Sequence, residues 1–294
     1  MRRVRVGITV GDPAGIGPEI VEKARLDPRV TEVCEPVVFA PGALDGIRPG
    51  EESAAGGLAA YETVVRATGS ALAGEVDAIA TAPVSKRAFA MAGLRWKGHT
   101  DLLAHLCGTA QVRMLFYADT APPLCVTLAT VHVPLAQVPH LLTIESVART
   151  IVMTADWLRG IGVPSPRVGL AGLNPHAGEA GLLGREDEAI LRPAVATAVA
   201  EGVAASGPWP GDTIFVRAVK GELDAVVACY HDQGLIPIKL LAFGHAVNVT
   251  VGLPIIRTSV DHGTAFDIAG RGVADHGSLV TAIRLAARLA ESRR

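Results

Sequence analysis

The sequence predicts an α/β protein built on a largely parallel sheet with helices on both faces. Short runs rich in Val, Ile and Leu alternate with stretches of helical spacing along almost all of the 294 residues. Nearly half of the residues are hydrophobic (49%) and only 4% are aromatic, so the core is expected to be built from Val, Leu, Ile and Ala. The length suits one large α/β domain or two smaller ones.

In chain order, residues 4–10 predict a first strand, followed by a glycine- and proline-rich turn over 11–17. Pro18 at the first helical position and Glu19 in the first turn start a helix over 18–24. A second strand is expected over 36–40, with Pro36 at its first residue, where no ladder donor is lost. Residues 41–57, rich in Gly and Pro, are expected as surface loop. Helical spacing covers 58–71, and 77–81 is a third strand. Residues 115–117 and 124–130 predict a hairpin around the turn sequence Thr120-Ala121-Pro122-Pro123. A helix over 144–158, a strand over 167–173 and a helix over 186–201 follow. Strands over 225–229 and 247–251 and an amphipathic helix over 277–291 complete the chain.

Charge and composition exclude several classes of function. The net charge is −2, and beyond Arg2, Arg3 and Arg5 the basic residues do not cluster, so a nucleic-acid partner is not expected. Cys34, Cys107, Cys125 and Cys229 sit in apolar runs without Cys-x-x-Cys spacing and read as buried free thiols of a reducing compartment. No apolar run approaches the ~20 residues that span a bilayer. The first apolar run ends in Gly-Asp-Pro without a cleavage-type site and reads as a strand, not a signal peptide. A cytoplasmic protein without a membrane partner is expected.

Three histidines stand in dense polar motifs far apart in the chain. They are His132 in Thr130-Val131-His132-Val133-Pro134, His176 in Asn174-Pro175-His176-Ala177-Gly178-Glu179, and His231 in Tyr230-His231-Asp232-Gln233-Gly234. Each lies at or shortly beyond the carboxyl end of a predicted strand, where open α/β sheets bind their ligands. Three neutral imidazoles with positions left open for substrate form the ligand set of a catalytic divalent metal, which polarises an alcohol oxygen.

Other clusters carry weaker signals. The turn glycines run Gly11, Gly15, Gly17, which is not the Gly-x-Gly-x-x-Gly order, so a tight turn before a helix is expected in place of a dinucleotide fingerprint. Gly98-His99-Thr100-Asp101 fits an anion site at a helix start, although an N-capping threonine is the commoner explanation of such a segment. Lys239, Asn248 and Arg257, spaced nine residues apart, combine charge with fixed donors and suit a phosphate or carboxylate; a solvated surface is the alternative. Between Val260 and Gly270, small residues let the backbone approach a ligand closely. His262 there fits a fourth metal ligand or a cofactor-facing position.

The ordered motifs are GITVGDPAGIGPEI (7–20), TAPVSK (81–86), GHTD (98–101), LNPHAGE (173–179), YHDQG (230–234) and GLPIIRTSVDHGTAFDIAG (252–270). With them the chain resembles the 4-hydroxythreonine-4-phosphate dehydrogenase (PdxA) family of vitamin B6 biosynthesis over nearly its whole length. HGTAFDIAG also resembles the adenosine-side loop of isocitrate and isopropylmalate dehydrogenases, whose fold the family shares. The resemblance implies two α/β/α subdomains with a cleft between them. Residues 1–100 with 245–294 would form the cofactor side, and 101–244 the metal and dimer side.

The resemblance also implies roles for particular residues. His132, His176 and His231 would hold a divalent metal (Zn, Mg, Co or Mn) at a homodimer interface, with ligands drawn from both subunits. His99, Thr100, Lys239, Asn248 and Arg257 would bind a small phosphorylated substrate. His262, Gly263, Thr264 and Asp267 would line the site of NAD or NADP. Asp232, Lys86 or a metal-bound water would act as base. The implied reaction is oxidation of 4-phosphohydroxy-L-threonine to a β-keto acid that decarboxylates to 3-amino-2-oxopropyl phosphate, a step of pyridoxal phosphate biosynthesis.

Three departures from the family pattern lean toward a branch resembling 4-phosphothreonate dehydrogenases. Asp101 stands where Glu is usual, Ser85 and not His precedes Lys86, and the stretch between the second and third strands is short. A dihydrodiol dicarboxylate dehydrogenase is a further relative, one that would not need the phosphate set. Outside this class the alternatives are a phosphate acyltransferase of related fold, without metal or NAD, and a non-catalytic ligand-binding protein.

Overall fold

A computed structural model describes residues 2–42 and 44–294. Among them the strands run β1 (Arg5–Thr9), β2 (Glu35–Phe39), β3 (Ala78–Thr81), β4 (Arg113–Ala118) and β5 (Leu124–Leu128). They continue with β6 (Arg167–Ala171), β7 (Ala204–Trp209), β8 (Ala225–Ala228), β9 (Val247–Val251) and β10 (Arg257–Ser259). The chain divides into two compact units, one ending at Val112 and resuming over Val247–Arg294, the other spanning Arg113–Ala246.

In the first unit the strand order is β2-β1-β3-β10-β9. All neighbours are parallel except β10 and β9. The helices Ala54–Leu72 and Gly277–Ser292 both lie against β1 and β3. Ala60, Val64 and Ala67 of the first of these meet Ile79, Phe89, Leu102 and Leu103 in one buried cluster. The loop expected over 41–57 ends early. The Ser53 hydroxyl accepts from the Gly56 amide at 3.0 Å and caps a helix that already begins at Ala54. The glycines that suggested a loop serve close packing: a Cβ on Gly57 would fall 2.2 Å from the Ala88 carbonyl, so only glycine lets this helix meet the helix Lys86–Met91.

The second unit has the order β4-β5-β8-β6-β7. β4 and β5 form the expected antiparallel hairpin, and the remaining pairs are parallel. Strand side chains alternate between faces. Leu124, Val126 and Leu128 therefore join Ile214, Leu235 and Ile238 in one cluster. Thr127 turns the other way, where the Thr154 hydroxyl donates to it at 2.8 Å from the helix Ile144–Gly160. The helix expected over 186–201 is present but underwound at its start, with a π turn over Asp187–Leu191 before regular helix over Arg192–Ala200.

Of the elements that went unread, which include the helices Lys86–Met91 and Ile214–Val219 and the strand β10, two have plain local reasons. β7 contains Gly207 and Pro208, residues depleted in strands but tolerated at a sheet edge. The helix His231–Ala242 contains Pro237, which reads as a breaker because it lacks an amide donor. No helix among the described residues is long and apolar enough to cross a membrane.

Candidate active site

The pairing register gathers one polar set in the first unit. Arg257 lies opposite Ile79 and Ser259 opposite Thr81 in the β10–β3 pair, and Ser259 lies opposite Asn248 in the β10–β9 pair. With a period of two, Thr81, Arg257, Ser259, Asn248 and Thr250 share the face toward which Ile79 points. Thr258 takes the other face and donates to the Ala282 carbonyl of the closing helix at 2.9 Å.

Arg257 is 3% exposed. Its Nε and Nη2 donate to Thr81 Oγ1 at 3.2 and 2.8 Å, and its Nη1 donates to Thr250 Oγ1 at 2.9 Å. No carboxylate pairs with it among the described residues, and burial pushes its pKa down to about 9. A buried cation held only by neutral hydroxyls lacks a counter-charge.

His99 opens the helix His99–Leu106, and its Nε2 is buried without a protein partner. Burial, and after it the positive charge of Arg257, hold its pKa well below the usual 6.5, so the imidazole is neutral. Asn248 Oδ1 is also buried without a protein partner. Unpaired buried polar atoms are rare in folded proteins. A cation, a neutral imidazole nitrogen and an amide oxygen together match a ligand that carries both an anionic group and an N–H or O–H donor.

The neighbouring residues sort less evenly. Thr100 does not cap the helix, since Gly98 is the capping residue and Thr100 lies in the first turn. Lys86 reaches the same segment: a Cβ on Gly98 would lie 3.9 Å from Lys86 Cε. Lys239 lies in the other unit, on the exposed side of the helix His231–Ala242.

In the second unit two of the three singled-out histidines meet. The His132 and His231 ring centroids are 5.3 Å apart. With Tyr230, Asp232, Leu135 and Val138 they line a hollow of about 250 Å³. Asp232 Oδ1 lies 2.7 Å from His231 Nδ1, an engagement that leaves Nε2 to face a ligand. His176 has the same arrangement, with Nδ1 2.9 Å from Glu179 Oε2. A carboxylate on one ring nitrogen fixes the tautomer and raises the basicity of the other, the usual outer shell of a metal-ligating histidine. The donor set thus fits a divalent metal, although no three metal-ligating side chains gather within one chain among the described residues.

His176 sits in an unusual turn. From His176 to Ala180 every residue has positive φ, between 44° and 81°, and four of the five are not glycine. Left-handed backbone costs roughly 1–2 kcal/mol per such residue. The buried Asp187 carboxylate anchors the turn by accepting from the Leu173 and Asn174 amides at 2.9 and 3.1 Å and from Asn174 Nδ2 at 2.9 Å. Sustained strain of this kind concentrates at functional sites.

The expected cofactor residues occupy one loop of the first unit. His262, Gly263 and Asp267 are exposed, with Asp267 in a short 3₁₀ turn over Phe266–Ile268. Thr264 anchors the loop: its carbonyl accepts from the Ile16 amide at 2.9 Å. A Cβ on Gly15 would lie 2.8 Å from that carbonyl oxygen, so glycine allows the first turn and this loop to touch. Sequence reasoning passed over Asp12 in the same turn. It is fully buried, Oδ1 accepts from the Ala14 amide at 3.0 Å, and Oδ2 has no protein partner. Burial raises its pKa, with Glu52 adding to the rise. Thr81 and Thr250 were also missed; the polar–apolar alternation of Val247-Asn248-Val249-Thr250-Val251 was the available signal for Thr250.

Comparison with known proteins places the chain among dehydrogenases. A 4-hydroxythreonine-4-phosphate dehydrogenase from Beijerinckia indica is 42% identical over 97% of this chain and 94% of that protein. A D-threonate 4-phosphate dehydrogenase from Salmonella typhimurium is 41% identical over 99% of this chain and all of that protein (100%). The crystal structure of a 4-hydroxythreonine-4-phosphate dehydrogenase from Klebsiella pneumoniae matches with a TM-score of 0.88 at 40% identity, covering 98% of each chain. A β-decarboxylating dehydrogenase from Thermococcus kodakarensis, at 17% identity and a TM-score of 0.53 over 97% of this chain and 81% of that one, shares the fold alone. The family model described as pyridoxal phosphate biosynthetic protein PdxA matches residues 18–286, and the chain belongs to that family of dehydrogenases.

Proposed function

We propose that this dehydrogenase oxidises the secondary alcohol of a phosphorylated hydroxy amino acid, 4-phosphohydroxy-L-threonine, to a β-keto acid that loses CO2 to give 3-amino-2-oxopropyl phosphate. One observation carries the reading: buried Arg257 has no carboxylate partner, and on its face of the sheet His99 Nε2 and Asn248 Oδ1 are unpaired. A phosphate supplies the missing negative charge, and the amino or hydroxyl group supplies the missing donor. Thr100 and Lys239 complete the substrate set in this reading.

His132 and His231 would hold a divalent metal together with His176 of the partner subunit. That assignment follows from the 5.3 Å pair of rings, and from the exposed His176 turn whose Nε2 is left to face outward. The apolar side chains Leu182, Leu240 and Phe243, each about 80% exposed, fit a face covered by a second copy. The metal, when bound, polarises the reacting hydroxyl and the carbonyl that replaces it. His262, Gly263, Thr264 and Asp267 would hold NAD or NADP, which would supply the hydride acceptor. Lys86, which reaches the segment at Gly98, would take the hydroxyl proton, while Asp232 holds His231. The free thiols, of which Cys34, Cys125 and Cys229 are buried and Cys107 is half-buried, fit work in a reducing cytoplasm.

A second reading, oxidation of 4-phosphothreonate, is favoured by Ser85 and Asp101. Both are occupied structurally: Ser85 caps the helix that Lys86 begins, and Asp101 accepts from the Lys97 amide. NADH release from the two phosphorylated acids, compared side by side, decides between the readings.

The shared metal site has a direct test. Chains carrying His132→Ala and chains carrying His176→Ala are each expected to be inactive alone. Mixed dimers would hold one intact site, so random mixing restores about a quarter of the activity. No restoration in verified mixed dimers would overturn the two-subunit site.

A further inference from the structure

Arg257 is read above as an anion receptor; resting on that reading, we propose that Thr81 is the positioning residue that aims its guanidinium and that Ser259 sets the direction of the Thr81 hydroxyl. The hydrogen bonds around Thr81 close completely. A hydroxyl has one proton and two lone pairs. Thr81 Oγ1 accepts from Arg257 Nε and from Nη2, which uses both lone pairs on one edge of the guanidinium. Its own proton goes to Ser259 Oγ at 3.0 Å, and Ser259 returns its proton to the Thr81 carbonyl at 3.2 Å. Donation therefore runs in one direction, from Arg257 through the Thr81 and Ser259 hydroxyls to the Thr81 carbonyl.

The consequence lies in what remains on the arginine. A guanidinium has five N–H donors in a fixed fork. Thr81 takes two and Thr250 takes one, through Nη1. One N–H on each Nη nitrogen stays available, a pair suited to two oxygens of one tetrahedral oxyanion. Both anchoring groups are neutral hydroxyls, so the charge of the guanidinium stays uncompensated until an anion arrives. A carboxylate in place of Thr81 would hold the fork equally well and remove the receptor. Specificity for the phosphoryl end of the substrate thus rests on a threonine of β3 as well as on the arginine of β10.

Titration of the purified enzyme with inorganic phosphate, followed by calorimetry, tests this without turnover. Thr81→Val keeps the shape and removes the oxygen that accepts both bonds, and is expected to weaken phosphate binding about tenfold or more. The KM for the phosphorylated substrate should rise by a similar factor, with kcat changed far less. Thr81→Ser should restore phosphate binding to within about twofold of the parent enzyme. Ser259→Ala should fall between, because the Thr258 carbonyl, 3.4 Å from Thr81 Oγ1, offers that hydroxyl a poorer acceptor. Parent-like phosphate affinity in Thr81→Val would overturn the proposal, as would a Thr81→Ser enzyme as weak as Thr81→Val. Should Thr81→Val fail to fold, Thr81→Cys, with sulfur as a weak acceptor, carries the same expectation and is overturned by the same result. Arg257→Met separates the two levels. If it too binds phosphate normally, the anion reading itself falls; if it alone loses phosphate, only the role of Thr81 falls.

Discussion

The two candidate ligand sites of this protein are built on opposite plans. In the first unit the proposed anion receptor is internal: Arg257, Thr81 and Ser259 are buried, and their hydrogen bonds close on one another. In the second unit the histidine site is superficial and partial. His132 and His231 form a pair, while His176 stands on an exposed left-handed turn with its outer nitrogen uncommitted. A site for a substrate's anionic tail can be finished inside one chain, because its task is to withhold water from a fixed charge. A site proposed to take a metal and the reacting hydroxyl has to stay open, and completion by a second copy would leave it so.

The largest effect expected from breaking the contrast is at the histidines. His231→Ala should abolish stoichiometric metal retention, measured by elemental analysis after dialysis, and lower turnover by about a thousandfold or more. The fold should persist, because the ring lies at a surface hollow and not in the core. Full metal content with normal turnover would remove the assignment.

A smaller effect is expected one shell out. Glu179→Gln takes the carboxylate from His176 Nδ1, now 2.9 Å away, and should weaken metal affinity about 10–100-fold in a chelator competition. Because the left-handed turn is anchored by Asp187 and not by Glu179, the melting temperature should barely change. An unchanged affinity would mean that Glu179 only decorates the turn.

At the buried receptor the expectation turns to stability. Arg257→Met removes a desolvated charge that lacks a counter-ion, a replacement that is often neutral or stabilising. In phosphate-free buffer the variant should melt no lower than the parent. Added phosphate should raise the parent's melting temperature and leave the variant's unchanged. A large destabilisation without phosphate would show that the threonine hydroxyls already compensate the charge.

What the sequence revealed follows from what each motif had to encode locally. The three histidines were legible because each interrupts the end of an apolar strand with a polar motif, a pattern that packing alone does not produce. Arg257 and Asn248 were legible as residue types but not as neighbours, since only the antiparallel β9–β10 register brings them to one face. Thr81 was hidden because a threonine at a strand end looks like ordinary β propensity, and its role depends on a partner 176 residues away. The glycines at 56 and 57 misled because composition cannot distinguish a loop from a close helix contact.

The finest test of the contrast is a pH dependence in the buried site. His99 has a pKa well below the unfolded value of 6.5, first because burial disfavours the imidazolium and second because Arg257 repels it. In the unfolded chain the ring takes up a proton as the pH falls through 6.5, whereas in the folded protein it stays neutral. The unfolded state then binds more protons, so stability falls on acidification below that value, by up to about 1.4 kcal/mol per pH unit from this one group. His99→Gln removes the titration, and urea unfolding between neutral and mildly acidic pH should show a shallower loss than in the parent. Equal slopes for the parent and His99→Gln would mean that the imidazole is solvated, and the receptor would lose the dryness on which its preference for an anion depends.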